Sequence, residues 1–192
     1  YQVQARTTSR FVLRGTSEEH LAITVRAPER RGTWLRAPVN LAVVIDRSGS
    51  MLAEQRLDNA RRAARQLVSQ LRDDDRFSLV AYGTEVAVIA PSALATEAGK
   101  AAAYQALDAL YCDGGTNISG GLLAGAHEIE AHEVAGSLAR MVLIGDGKAN
   151  EGLRSRDQLA ALARSTAARG VSITTVGVGL DFDERVMTEI AV

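Results

Sequence analysis

Two short segments of the sequence carry oxygen-bearing side chains at a spacing that could bind a hard metal ion. In the first, Asp46, Ser48 and Ser50 occupy alternate positions around Gly49, which would direct one carboxylate and two hydroxyls toward one place. In the second, Asp146 lies between two glycines directly after an apolar run. Mg²⁺ prefers such oxygen ligands and keeps several of its waters, so it needs no complete protein cage.

A third segment, residues 113–117, adds the hydroxyl of Thr116 shortly before a predicted helix. Its adjacent glycines, Gly114 and Gly115, would let the backbone approach a bound ion closely. Taken alone, Thr116 is more simply a helix cap, and an aspartate at a strand end is more simply a turn residue. The joint occurrence of the three segments is what predicts a divalent-metal site.

The elements that would position these segments follow from the hydrophobic pattern. Residues 39–45 and 141–144 are apolar and rich in β-branched residues, which predicts strands buried on both faces. Strands are also predicted over 77–82, 86–89 and 171–178, and helices over about 52–72, 100–110, 119–134, 156–169 and from 183 onward. This alternation predicts an α/β fold with a doubly wound, mostly parallel central sheet flanked by helices. Ligands of such sheets bind beyond the carboxyl ends of the strands, where the three segments would lie.

The chain is predicted to divide into an N-terminal β-hairpin extension, residues 1–38, and one larger domain, residues 39–192. The hairpin is expected to pair residues 11–13 with 21–25 through a turn at 14–17. The last predicted helix is expected to contain Val192 and to be interrupted by the C-terminus, as in a piece of a longer protein.

Composition excludes several kinds of partner. Lys and Arg number 22 against 23 Asp and Glu, so the sequence offers no basic field for nucleic acid. No uncharged apolar run approaches the roughly 20 residues of a membrane helix, and we expect no direct membrane insertion. The single cysteine, Cys112, excludes an internal disulfide framework and leaves the compartment open.

Common catalytic and cofactor motifs are incomplete. The segment around Ser48 is not the Gly-x-Ser-x-Gly of a serine hydrolase, and His127 and His132 do not form the His-Glu-x-x-His of a zinc protease. Residues 176–179, Val-Gly-Val-Gly, are an incomplete dinucleotide motif near the wrong end of the chain, and their glycines more simply end a strand. Cys112 borders the glycine-rich loop but is interpreted as a packed thiol.

From about residue 39 to 192 the sequence resembles the von Willebrand factor type A (VWA) family, bacterial type. The family's Asp-x-Ser-x-Ser element, usually followed by Met, stands at residues 46–51, and its Gly-Gly-Thr-Asn element at 114–117. The third element, usually Thr or Ser followed by Asp-Gly, appears as Gly145-Asp146-Gly147. Gly145 lacks the usual hydroxyl, and Lys148 stands where bacterial relatives often carry an acidic residue. We expect these departures to weaken or retune metal affinity.

The resemblance implies a metal-ion-dependent adhesion site (MIDAS) that holds Mg²⁺, with Mn²⁺ or Ca²⁺ as alternatives. In it Ser48, Ser50 and Thr116 would contact the ion, while Asp46 and Asp146 would act directly or through water. An open coordination position would receive a Glu or Asp carboxylate from a partner protein, so the expected function is binding, in an adhesion or scaffold module, rather than catalysis. Parent chains of this type are often secreted or membrane-associated, and the cytoplasm is not excluded.

Two alternatives stay open. A Mg²⁺-dependent phosphohydrolase of the haloacid-dehalogenase type also places an aspartate after a parallel strand, but it carries a second aspartate where Ser48 stands. A VWA scaffold could also bind partners without metal, although the ligand side chains are retained here. Lys148 could steer an acidic partner, but a solvated surface charge is the simpler interpretation.

Overall fold

The computed structural model describes residues 2–7, 21–26 and 36–192. The chain divides into two compact units, Tyr1–Arg36 and Ala37–Val192. In the first unit, strand β1 (Gln2–Thr7) pairs antiparallel with β2 (Leu21–Arg26), with Gln2 opposite Arg26. Hairpin strands are present, and residues 2–7, which the prediction had not included, form the strand β1 that pairs with β2. The predicted strand 11–13 and turn 14–17 lie outside the described residues.

The second unit contains a five-stranded sheet in the order β5-β4-β3-β6-β7. Its strands are β3 (Val39–Asp46), β4 (Arg76–Tyr82), β5 (Val86–Leu94), β6 (Leu138–Gly145) and β7 (Ser172–Gly177). The pairings of β3 with β4, β3 with β6, and β6 with β7 are parallel, and only the edge strand β5 runs antiparallel to its neighbour. The predicted mostly parallel sheet is confirmed, and β5 is longer than predicted.

Helices cover both faces of this sheet, as a doubly wound fold requires. They are α1 (Arg56–Ser69), α2 (Glu97–Ala109), α3 (Ile118–Ala131), α4 (Arg156–Ala168) and α5 (Glu184–Ile190). Helices α1 and α2 pack on the face that carries Val43, whereas α3, α4 and α5 pack on the face that carries Val44. Successive residues of β3 therefore bury on opposite faces, which explains why the strand is apolar throughout.

Two helix predictions are corrected at their ends. The single helix predicted over 52–72 begins instead as a 3₁₀ segment, Gly49–Gln55, and α1 starts only at Arg56. Glu54 and Gln55 break the helix because both have left-handed backbone angles, with φ of 53° and 57°. The last helix ends at Ile190, and the predicted helical placement of Val192 is wrong, since Val192 exchanges two backbone hydrogen bonds with Ile173. Within the described ranges, no helix is both long and apolar enough to cross a membrane.

Candidate metal site at the carboxyl edge of the sheet

The register of the two central strands places the two predicted carboxylates side by side. Ile45 of β3 is paired with Ile144 of β6, so Asp46 and Asp146 leave adjacent parallel strands at the same edge. Both aspartates are completely buried. Neighbouring parallel strands end at the same edge of a sheet, so the sequence pattern alone is sufficient to predict that these two carboxylates lie there.

The loop after β3 arranges two hydroxyls around the first carboxylate. The Ser48 amide donates to Asp46 Oδ1 at 2.8 Å, and the Ser48 and Ser50 Oγ atoms are 3.0 Å apart. Ser48 is buried and Ser50 is exposed. The pattern of alternate oxygen-bearing residues therefore produces a compact cluster that reaches from the interior to the surface.

Thr116 lies in a loop held between the other two. On one side, the Gly49 amide donates to the Gly114 carbonyl at 3.0 Å. On the other side, the Thr116 amide donates to Asn150 Oδ1 at 2.7 Å, and the Asn150 amide donates back to the Thr116 carbonyl at 3.1 Å. The third predicted segment thus bridges the two that carry the aspartates, and Thr116 itself is buried. The role of Asn150 in fixing this loop was missed at the level of sequence.

The carboxylates retain acceptor atoms that no protein group satisfies. Asp46 Oδ2 and Asp146 Oδ2 are buried and have no hydrogen-bond donor within the part of the chain that the structure describes. Burial, opposed by the hydrogen bonds from Ser48 and reinforced by the charge of Asp146, raises the pKa of Asp46 to about 6. The buried Asp46 carboxylate is therefore poorly stabilised as an anion, and a bound cation would supply counter-charge.

The donor set fits a hard divalent ion. No group of three or more His, Cys, Asp or Glu side chains suited to a metal occurs among residues 2–7, 21–26 and 36–192. A metal site at this edge would therefore combine the two carboxylates with hydroxyls, which is the oxygen chemistry of Mg²⁺ or Mn²⁺ rather than the nitrogen and sulfur chemistry of structural zinc.

A cluster of charged side chains borders Asp146. The Arg56 guanidinium is 7% exposed, with Nη1 3.7 Å from Asp146 Oδ2 and Nη2 2.5 Å from Asp181 Oδ1. Lys148 Nζ lies 2.5 Å from Asp181 Oδ2, and this hydrogen bond, with the charge of Arg56, lowers the pKa of Asp181. Lys148 is exposed, as the predicted surface charge would be, and it also forms an ion pair with Asp181. Nothing in the helical spacing distinguished Arg56 from the solvent-facing arginines of α1.

The presence of glycine at position 145 has a steric explanation that the sequence does not reveal. A Cβ atom at this position would lie 2.5 Å from the Tyr82 hydroxyl oxygen and 2.8 Å from Asp46 Cβ. Tyr82 is fully buried, and its pKa is raised well above the ordinary value by burial and then by the charges of Asp46 and Asp146. Its hydroxyl lies close enough to Asp46 for that contact also to raise the pKa of Tyr82, but the geometry falls short of a formed hydrogen bond. The only hint in the sequence was that Tyr82 ends the predicted strand next to β3.

Other residues considered from the sequence lie apart from this arrangement. His127 and His132 are exposed at the C-terminal half and end of α3. Gly177 ends β7, where a Cβ would lie 2.5 Å from the Phe182 ring, which confirms that this glycine ends a strand. Cys112 is a partly buried free thiol, and burial raises its pKa.

The fold and the motif placement define a class: a doubly wound α/β domain with oxygen-bearing side chains converging at the carboxyl edge. Residues 40–192 match the von Willebrand factor type A domain family, and the chain belongs to that family. It is 30% identical over 172 residues to the uncharacterized protein YfbK of Escherichia coli, covering 89% of this chain and 29% of YfbK. The chain thus spans under a third of the length of that relative.

Two solved structures share the fold. Proximal thread matrix protein 1 from the mussel byssus, with a zinc-occupied MIDAS motif, superposes with a TM-score of 0.66 at 20% identity, covering 81% of this chain and 41% of that one. Manganese-loaded TRAP protein of Plasmodium vivax superposes with a TM-score of 0.67 at 19% identity, covering 81% of this chain and 63% of that one. At these identities the likeness shows the fold alone.

Proposed function

We propose that the carboxyl edge of the sheet binds Mg²⁺, with Mn²⁺ or Ca²⁺ as alternative ions. The residues that would hold it are Asp46, Ser48, Ser50, Thr116 and Asp146. The observation that carries this proposal is the pair of buried carboxylate oxygens, one on Asp46 and one on Asp146, that have no hydrogen-bond partner among the described residues. The metal-loaded relatives of the same fold support the binding of a divalent ion in general.

We further infer that the ion serves to bind a partner protein. Only two of the five proposed ligands carry formal charge, so the bound ion would remain electrophilic toward one more anion. A Glu or Asp side chain of a partner would supply that anion in an open coordination position. In this account the protein's own residues orient the ion and leave one position for the partner.

The surface around the site supports a macromolecular partner. The three most exposed large hydrophobic residues of the unit Ala37–Val192 are Leu180, Leu52 and Tyr111, at 98%, 75% and 65%. Leu52 lies in the 3₁₀ segment that follows β3, whereas Tyr111 and Leu180 lie in loops. Leu52 and Tyr111 line one cavity of about 250 Å³. Exposed apolar residues concentrated around a polar site are typical of protein-binding surfaces. We propose that they contact apolar residues that flank the partner's acid.

The proposed binding domain is residues 39–192, with residues 1–38 as an extension that carries the hairpin. A phosphohydrolase is less well supported, because Ser48 occupies the position of a second catalytic aspartate and its hydroxyl is shared with Ser50. A metal-independent scaffold is less well supported, because it would leave the buried Asp46 without counter-charge and Asp146 with only the Arg56 guanidinium, 3.7 Å from its Oδ2.

A metal titration tests the proposal. Protein stripped with EDTA is titrated with Mg²⁺, Mn²⁺ and Ca²⁺, and melting temperature is measured together with calorimetric binding. We expect saturable stabilisation that Asp46→Ala and Asp146→Ala abolish. The matched control is Asp73→Ala, which removes an exposed carboxylate from the turn before β4, at the opposite edge. Equal metal binding by the wild type and all three variants would contradict the assignment of Asp46 and Asp146 to the metal site.

Partner binding is tested separately with peptides. A peptide with a central Glu between leucines is compared with its Gln counterpart, each with Mg²⁺ and with EDTA. We expect binding only of the Glu peptide with Mg²⁺ present. Metal binding without any preference for Glu over Gln would keep the metal site but reject the proposed role of the partner's acid. Turnover of phosphoester substrates that depends on Asp46 would favour the enzyme instead.

A further inference from the structure

Tyr82 brings a hydroxyl to the candidate metal site from a strand that carries none of the family's motif. It is the last residue of β4 and is paired in register with Asp46 of β3. The side chain is fully buried, and its hydroxyl has no hydrogen-bond partner among the residues that are described. A buried hydroxyl without a partner is costly and uncommon, so it calls for a group that it serves.

The space around Gly145 shows which group lies next to the Tyr82 hydroxyl. A Cβ atom at position 145 would lie 2.5 Å from the Tyr82 hydroxyl oxygen and 2.9 Å from Asp46 Oδ2. The two oxygens therefore border the same small volume, which a Thr or Ser at this position would fill. Asp46 Oδ2 is itself buried and without a donor. A hydroxyl from β4 thus stands where this chain lacks a hydroxyl from β6.

Packing keeps the phenol ring in this orientation. A Cβ atom at Gly121 of α3 would lie 2.9 Å from Tyr82 Cδ1 and 3.0 Å from Val44 Cγ1, so the helix backbone rests directly on the ring. The ring has little room to turn away, and only its O–H bond can rotate freely. The hydroxyl is in this sense preorganised toward Asp46.

We propose that Tyr82 is a positioning residue of the metal site: its hydroxyl donates to Asp46 Oδ2 in the metal-bound protein and replaces the hydroxyl that Gly145 lacks. This inference rests on the proposed metal binding. With the Ser48 amide on Oδ1 and Tyr82 on Oδ2, both oxygens of Asp46 are held, and each keeps a lone pair for the ion or its waters. Groups that orient ligands in this way contribute strongly to metal affinity.

The test compares Tyr82→Phe with Tyr104→Phe, which removes a hydroxyl from α2, where Tyr104 stacks under Arg65. Mg²⁺ and Mn²⁺ affinities are measured by calorimetry, and melting temperatures are measured in EDTA. We expect Tyr82→Phe to bind metal about tenfold more weakly, with no loss of melting temperature in EDTA, because its hydroxyl has no partner there. Tyr104→Phe should bind as the wild type does.

A second substitution, Gly145→Ser, distinguishes a positioning role of Tyr82 from a general packing defect. Gly145→Ser alone should lower the melting temperature, because the new side chain meets the phenol oxygen. In the Tyr82→Phe background the same change should cost less stability and should restore part of the metal affinity. Undiminished affinity in Tyr82→Phe, or no rescue by Gly145→Ser, would overturn the inference while leaving the metal site intact. Absence of metal binding by the wild type would instead reject the proposed function.

A spectroscopic measurement tests the inference even if the Tyr82→Phe variant does not fold. In a Tyr111→Phe protein, which removes the exposed tyrosine near the site, Mg²⁺ should still produce a near-ultraviolet tyrosine difference signal, since a new hydrogen bond changes phenol absorption. No signal at saturating Mg²⁺ would overturn the inference.

Discussion

Replacing Asp46 by Asn should stabilise the metal-free protein at neutral pH while abolishing metal binding. The Asn Oδ1 can keep the 2.8 Å hydrogen bond from the Ser48 amide. Its amide nitrogen would replace Oδ2, which has no hydrogen-bond partner among residues 36–192, and would lie near the Tyr82 hydroxyl as a donor. The substitution therefore removes a buried charge at little steric cost.

The size of the stabilisation expected from Asp46→Asn follows from the raised pKa of Asp46. The folded pKa of about 6 lies above the ordinary value of 3.8. Because each tenfold change in proton affinity is worth about 1.4 kcal/mol, the shift corresponds to roughly 3 kcal/mol. Because the pKa of Asp46 is higher in the folded state, this carboxyl contributes to the free energy of unfolding below pH 3.8. That contribution is lost as pH rises through 6. Metal-free wild type should lose this free energy between about pH 4 and 6, and Asp46→Asn should not.

The assay is urea unfolding in EDTA at pH 4.5 and pH 7.5. We expect the difference in unfolding free energy between Asp46→Asn and wild type to move in favour of the variant by about 2 kcal/mol over this range, because part of the full effect is already lost at pH 4.5. In thermal unfolding this would be roughly 4–8 °C for a unit of this size. Asp73→Asn is the matched control. A difference that does not change with pH would refute the assignment of the buried charge.

The remaining predictions concern the loops around the site. Asn150→Ala should weaken Mg²⁺ binding several-fold in calorimetry, because the amide of Thr116 loses its 2.7 Å acceptor; unchanged affinity would show that this loop needs no such support. Leu52→Ser combined with Leu180→Ser should leave Mg²⁺ affinity unchanged but weaken binding of the Glu peptide, since both residues are highly exposed beside the site. Unchanged peptide affinity would exclude the apolar loops from the binding surface.

Much of the site could be predicted because its determinants are local in sequence. The apolar runs before Asp46 and Asp146 define two buried strands, and the parallel pairing of such strands brings their carboxyl ends together. The short repeat of oxygen-bearing residues at Ser48 and Ser50 then completes one side of the site. Neither inference required knowledge of how distant side chains pack.

The features that could not be predicted depend on contacts between distant segments. Arg56 is buried beside Asp146 and follows Glu54 and Gln55, which adopt left-handed conformations although neither is glycine. Lys148 is held by Asp181, 33 residues away in the chain. Tyr82 reaches the site because α3 packs on its ring, which no periodicity in β4 reveals.

The most direct test of the central claim is anomalous diffraction from crystals grown with Mn²⁺. We expect one strong manganese peak at the carboxyl edge of the sheet, surrounded by the five proposed ligands: Asp46, Ser48, Ser50, Thr116 and Asp146. Crystals of Asp46→Ala grown in the same way should lack that peak. A manganese peak elsewhere, or no peak in crystals of the wild type at millimolar Mn²⁺, would contradict the account.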